Sequence, residues 1–91
     1  MKVVINIRHG GFSLSKKALE EYKKLSHKED ISEYDIERND IYLIEVVEKL
    51  KEEANGRFAE LKIVEVPDDV KWFIEEYDGM EWVAEEHRTW S

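Results

Sequence analysis

The stretch KWFIEEYDGMEWVAEE, residues 71–86, decides how this chain folds. Asp78-Gly79 at its centre has the composition of a two-residue type I′ turn, which requires positive φ at both central positions. In that register Lys71 faces Glu86 and Ile74 faces Val83, and successive side chains divide between two faces. One face carries Val70, Trp72, Ile74 and Val83; the other carries Phe73, Tyr77, Met80, Trp82 and Ala84. Such a hairpin is apolar on both sides, and one small core covers only one of them. Glu76 opposite Glu81 is a like-charge pair that opposes the register. The competing reading takes Asp78 as a helix N-cap with Glu81 three residues on, a capping box that starts a helix through EWVAEEHR.

Working outward, "KVVINIR" at 2–8 is β-branched and bounded by Gly10-Gly11, which predicts a strand buried on both faces through Val3, Val4, Ile5 and Ile7. Ser15 is the expected N-cap of a helix whose Ala18, Leu19, Tyr22 and Leu25 form one apolar face, with Leu14 and Leu19 as a hydrophobic staple. "SHKEDISEYDIERND" is a polar connector pinned at Ile31, Tyr34 and Ile36. Asn39 or Asp40 then caps a second helix in which Leu43, Ile44, Val47, Leu50 and Ala54 recur at helical spacing, with Gly56 where a left-handed terminal residue belongs. In "FAELKIVEVP", Leu61, Ile63 and Phe58 alternate against Val64 and Val66, and Pro67 ends a strand. The predicted layout is β-α-α-β-β-β: one α+β domain over residues 1–91, with two helices packed on a small mixed or antiparallel sheet.

Composition narrows the function. At 91 residues, 42% apolar and 40% charged, with periodic hydrophobic groups, the chain is neither disordered nor membrane-spanning, since no apolar run nears the ~20 residues a bilayer requires. "VVINI" is too short for a secretory core of about 7 residues or more, which makes the cytoplasm the expected location. Without cysteine, thiolate chemistry and Cys-based zinc sites are excluded. The net charge of −8 is concentrated: residues 65–91 hold nine acids against Lys71 and Arg88. That sign repels phosphate backbones and favours a basic protein partner over nucleic acid.

Few residues suggest chemistry. "RHGGFSLS" has the makings of an anion site, because two glycines let backbone approach a ligand ahead of a helix N-terminus, yet the same residues serve any tight turn into a capped helix. Ser13 to Lys16 matches the S-x-x-K pattern of penicillin-recognising enzymes by chance, lacking their other motifs. His9, His27 and His87 have no metal-ligand spacing, and Glu85 and Glu86 diverge in either strand or helix, so no metal, cofactor or acid-base pair is expected. Arg88 and Trp90 in "HRTW" share a face if extended; together with Arg8, Gly10, Gly11 and Ser13 they could bind a small anionic or nucleotide-like ligand.

The blocks "GGFSLS", "ERNDIYLIEVVEKL", "ANGRFAELKIVEVPDDV", "EEYDG" and "HRTW" resemble a group of small uncharacterised proteins encoded in bacteriophage and prophage genomes, over nearly the whole chain. That group often has a longer segment before the "RND" block, and proline after it where Ile41 stands here. The resemblance implies a viral accessory origin and assigns no activity. With no catalytic constellation in the sequence, the expectation is a non-enzymatic protein, a homodimer rather than a monomer, that binds and inhibits or modulates a basic host protein such as a nucleic-acid-handling defence component. Its expected contact residues are Tyr77, Glu76, Asp78, Glu81 and Trp82.

Overall fold

The computed structural model describes residues 1–86 and has the predicted element order. Strand β1 (Lys2–Asn6) is followed by helices α1 (Lys16–Ser26) and α2 (Ile41–Leu50), then by strands β2 (Leu61–Glu65), β3 (Trp72–Tyr77) and β4 (Met80–Glu85). The strands form two antiparallel pairs, β1–β2 and β3–β4, rather than one sheet. In the first pair Val3 faces Val64 and Val4 faces Ile63. Successive side chains on a strand point to opposite faces, so this ribbon has two apolar sides. Val4, Leu61 and Ile63 pack with the helices, around the fully buried Tyr22, Leu43 and Val46. Val3, Ile5, Val64 and Val66 meet Val70, Trp72, Ile74 and Val83 of the hairpin segment. The β1–β2 ribbon is thus the middle of a layered stack.

Local signals explain the helices. The Ser15 hydroxyl accepts from the Ala18 N–H and donates to the Glu53 carbonyl, capping α1 and tying it to the end of the second helical segment. One oxygen of Asp40 accepts from the Tyr42 and Leu43 N–H groups, and the other accepts from the Tyr22 hydroxyl. Such caps satisfy donors that the first helical turn cannot. Helix α2 ends earlier than its periodicity predicts, at Leu50, where Lys51 takes φ 54° and a 3₁₀ turn runs to Ala54. Gly56 is therefore not the left-handed terminal residue. It is glycine because a Cβ there would collide with the Ser13 side chain, and its N–H donates to the Ser13 carbonyl.

The connector between the helices is more ordered than a loop. Ser32 and Asp35 form a capping box on a 3₁₀ turn over Glu33–Asp35, and Ile31 and Ile36 pack on the core. Tyr34, expected as a third pin, is 75% exposed. Its place is taken by two charged residues: the Glu33 carboxylate accepts from the Leu14 N–H, and Arg38 reaches across to the hairpin. Phe58 likewise lies outside β2 and is exposed.

Candidate functional site

The hairpin has the register that Asp78-Gly79 dictates. Asp78 and Gly79 take φ 51° and 90°, Tyr77 faces Met80, and Ile74 faces Val83. Residues directly opposite share a face. Trp72, Ile74, Glu76, Glu81, Val83 and Glu85 therefore form the side turned toward β1–β2, and Phe73, Glu75, Tyr77, Met80, Trp82 and Ala84 form the side turned away. On that outer side Phe73 is 44%, Trp82 42% and Tyr77 71% exposed. The Trp82 indole Nε1–H donates to the Glu75 carboxylate at 3.0 Å, across the two strands. The outer face thus presents three rings with a carboxylate set among them.

Glu81 belongs to the opposite side, which corrects its expected role as a contact residue. Its relative exposure is 9%. Both its oxygens accept from the Arg38 guanidinium, at 2.6 and 2.8 Å, and the first also accepts from the Asn6 N–H at 2.8 Å. The guanidinium itself stacks on the Phe12 ring at 3.6 Å. Bidentate charge-assisted pairing of this kind keeps a buried carboxylate from going unpartnered. It also removes the like-charge objection to the register, since Glu81 is neutralised from behind and Glu76 accepts from the Gly79 N–H instead.

The same residues close an edge of β1. The N–H groups of Val4 and Asn6 point away from β2, and among the described residues no strand pairs with them; Val4 donates to the Arg38 carbonyl and Asn6 to Glu81. Asn6, fully buried, completes the joint: its amide nitrogen donates to the carbonyls of Arg8 and Gly79, and its oxygen accepts from the Glu60 N–H. Sequence reading missed Asn6, Arg38 and Glu81 as a unit. The available signal was a lone Asn inside an apolar strand, since a buried amide requires partners.

The glycine loop has a structural occupant. A Cβ on Gly79 would lie 2.6 Å from the Gly10 nitrogen, and one on Gly10 would lie 2.7 Å from the Phe58 carbonyl oxygen. The missing Cβ of Gly79 thus lets the hairpin turn lie against the Gly10-Gly11 backbone, that of Gly10 lets the loop lie against Phe58, and His9 Nδ1 sits 3.3 Å from the Asp78 carbonyl oxygen. Arg8 is exposed, and Ser13 is half-buried beneath Gly56. Arg88 and Trp90, the other half of the expected anion site, lie outside the described residues, as does His87. Among the described residues no three His, Asp or Glu side chains converge as metal ligands would, and no helix is long and apolar enough to cross a membrane.

The hairpin's charge is one-sided. Residues 71–86 carry six carboxylates and only Lys71. With Glu81 paired to Arg38, the remaining five (Glu75, Glu76, Asp78, Glu85 and Glu86) are exposed. No family model, curated protein or solved structure matches this chain.

Proposed function

We propose that this chain is a non-enzymatic binding protein that docks the outer face of its β3–β4 hairpin onto a basic surface of a host protein, occupying a groove that otherwise holds nucleic acid. The observation that supports this is the choice of face. The hairpin covers Trp72, Ile74 and Val83 and leaves Phe73, Tyr77, Trp82, Met80 and Ala84 on the solvent side, although the latter set offers more ring surface. Exposed aromatic clusters mark interaction sites, and Trp and Tyr are the commonest anchors of protein interfaces. The surrounding carboxylates supply the steering: they raise the encounter rate with a cationic groove and disfavour acidic partners. Tyr77, Trp82 and Phe73 are the anchors in this reading, with Glu75, Glu76 and Asp78 as the charged rim. Inhibition or modulation of a host defence component is the setting that the resemblance to phage-encoded proteins supplies.

A pull-down from host-cell lysate at low and high salt, with the wild-type chain and a Tyr77→Ala/Trp82→Ala variant, tests the proposal. Partners carrying a basic surface should be retained at low salt, released at high salt and lost with the double variant, each truncation costing more than about 1 kcal/mol of binding. The variant must show the same unfolding midpoint as the wild type. Equal recovery of every partner by the two proteins would sink the proposal. A second copy of the chain is the competing occupant of this face, and sedimentation of wild type and variant distinguishes it, because a homodimer built on these rings falls apart in the variant.

A further inference from the structure

The outer face of the hairpin carries one carboxylate among its rings. The register sets Glu75 directly opposite Trp82, and Phe73 and Tyr77 flank it two residues away on β3, each about 7 Å along the strand. The other acids of the hairpin stand apart from this group. Glu81 is paired with Arg38 on the inner side, Glu76 accepts from the Gly79 N–H, and Asp78 lies in the turn, 3.8 Å from His9. Lys71 shares the outer side but sits beyond Phe73 at its far end, where its carbonyl accepts from the Glu86 N–H. Glu75 Oε2 accepts from the Trp82 indole at 3.0 Å, which holds carboxylate and ring together. Its Oε1 has no hydrogen-bond partner among the described residues.

We infer, building on the docking role proposed for this face, that the group takes one arginine side chain of the basic partner. Its guanidinium lies against the Trp82 and Tyr77 rings and donates to the free oxygen of Glu75. The same hairpin already holds a guanidinium in this way on its inner side, where Arg38 is bidentate on Glu81 and stacks on Phe12 at 3.6 Å. The pairing of carboxylate and ring is repeated on the outer side, with no cation from the described residues between them. Charge selects a cation, because Glu75 is the one charged residue set among Phe73, Tyr77, Met80, Trp82 and Ala84. Shape selects arginine over lysine. A flat, weakly hydrated guanidinium stacks on a ring while its N–H groups reach a carboxylate, whereas an ammonium is compact and strongly hydrated. With Trp82 42% and Tyr77 71% exposed, the rings are open to such a side chain. The indole hydrogen bond also orients the carboxylate beforehand, so less freedom is lost when the arginine arrives.

The probe is a short capped peptide with a single arginine between glycines and serines, compared with the same peptide carrying lysine or uncharged citrulline in place of arginine. Titrated at constant ionic strength into the isotope-labelled chain, the arginine peptide should give saturable shifts of the Trp82 indole N–H, the Tyr77 ring and the Glu75 carboxyl, with Val47 unmoved. A stacked cation and an ion pair on an open face give a dissociation constant of about 10 mM. The lysine peptide should bind about threefold more weakly and the citrulline peptide about tenfold. Glu75→Gln keeps an acceptor for the Trp82 indole and removes only the charge, and it should weaken the arginine peptide about fivefold. The peptide substitutions leave the chain untouched, so folding is not at stake in them. Citrulline or lysine binding as tightly as arginine, equal binding by Glu75→Gln, or no saturable shift at Trp82 would each overturn the assignment of arginine. If the Tyr77→Ala/Trp82→Ala variant nonetheless loses its lysate partners, docking by this face stands and only its arginine specificity falls. Retention of those partners defeats the docking role whatever the peptides do.

Discussion

The pair of Arg38 and Glu81 allows a demanding test, because the structure says what each loses without the other. Removing Arg38 as Arg38→Ala leaves the Glu81 carboxylate buried with only the Asn6 N–H as a donor. Breaking a buried ion pair from one side costs about 3–5 kcal/mol, since a charge is left without compensation. The carboxylate side chain is only 8% exposed, which puts this variant at about 4 kcal/mol. Glu81→Ala strands a guanidinium whose side chain is 22% exposed and still stacked on Phe12, so water relieves part of the loss. It also orphans the Asn6 N–H, and the two together come to about 3 kcal/mol. A domain of this size has roughly 5–13 kcal/mol in all, so either single variant removes a large fraction. The double variant Arg38→Met/Glu81→Met replaces both charges by apolar groups of similar length and should cost no more than about 2 kcal/mol. Urea unfolding followed by tryptophan fluorescence measures all three, together with the Met singles that complete the cycle. A coupling below about 1 kcal/mol, with the double change costing the sum of its singles, would refute the account of this pair as one unit.

Three further outcomes follow from the same structure. Gly79→Ala should destabilise by about 2 kcal/mol or more, because its φ of 90° disfavours a side chain and the added Cβ would lie only 2.6 Å from the Gly10 nitrogen; a variant with unchanged thermal midpoint would contradict the backbone packing described. Asn6→Ala leaves the Glu60 N–H and the Gly79 carbonyl without their side-chain partner, and about 3 kcal/mol should be lost in chemical denaturation, more than an ordinary surface substitution. Burial, with the hydrogen bond to Asp40 second, pushes the Tyr22 phenol up to about 12 from 10.0. The fold therefore favours the neutral phenol: that contribution is complete below pH 10 and is lost as pH rises through about 12, a difference of roughly 3 kcal/mol. Tyr22→Phe should be less stable than wild type at neutral pH by about 1–2 kcal/mol and should lose less of its stability between pH 10 and 12, read as alkaline unfolding of both proteins.

What the sequence revealed, it revealed through local chemistry. Asp78-Gly79 fixes a hairpin register because a two-residue turn with positive φ at both positions leaves no slack. Ser15 and Asp40 mark helix starts because their side chains reach N–H groups two or three residues on. Gly56 misled for a related reason: a glycine after a helix signals either a left-handed terminus or a close contact, and only the position of Ser13 decides between them. Nothing local announces that Arg38, inside a connector of mixed charge, meets a glutamate 43 residues away. Nor does the capping-box spacing of Asp78 and Glu81 show that Glu81 serves as the acceptor for Arg38 and for a strand edge. For the candidate site, Tyr77 and Trp82 were legible from alternation, and Glu81 was not.

The polar seam also bears on why the ring-rich face is outside. By apolar area alone, a hairpin with Phe73, Tyr77, Met80, Trp82 and Ala84 on one side would bury that side, because burial is favourable in proportion to the area removed from water. Hydrophobicity is non-directional and cannot by itself prefer the side that carries Glu76, Glu81 and Glu85. Hydrogen bonds are directional. Glu81 finds in one place a guanidinium to neutralise it and a strand edge that lacks a neighbour, while Gly79 offers its carbonyl to the Asn6 amide. Turning the hairpin over would leave the Asn6 N–H and the Arg38 guanidinium without the Glu81 carboxylate, each costing about 1–3 kcal/mol when buried, whereas exposed rings lose only part of their transfer energy. The orientation therefore follows from polar satisfaction at the β1 edge, and the aromatic outer face that supports a docking role is its physical consequence.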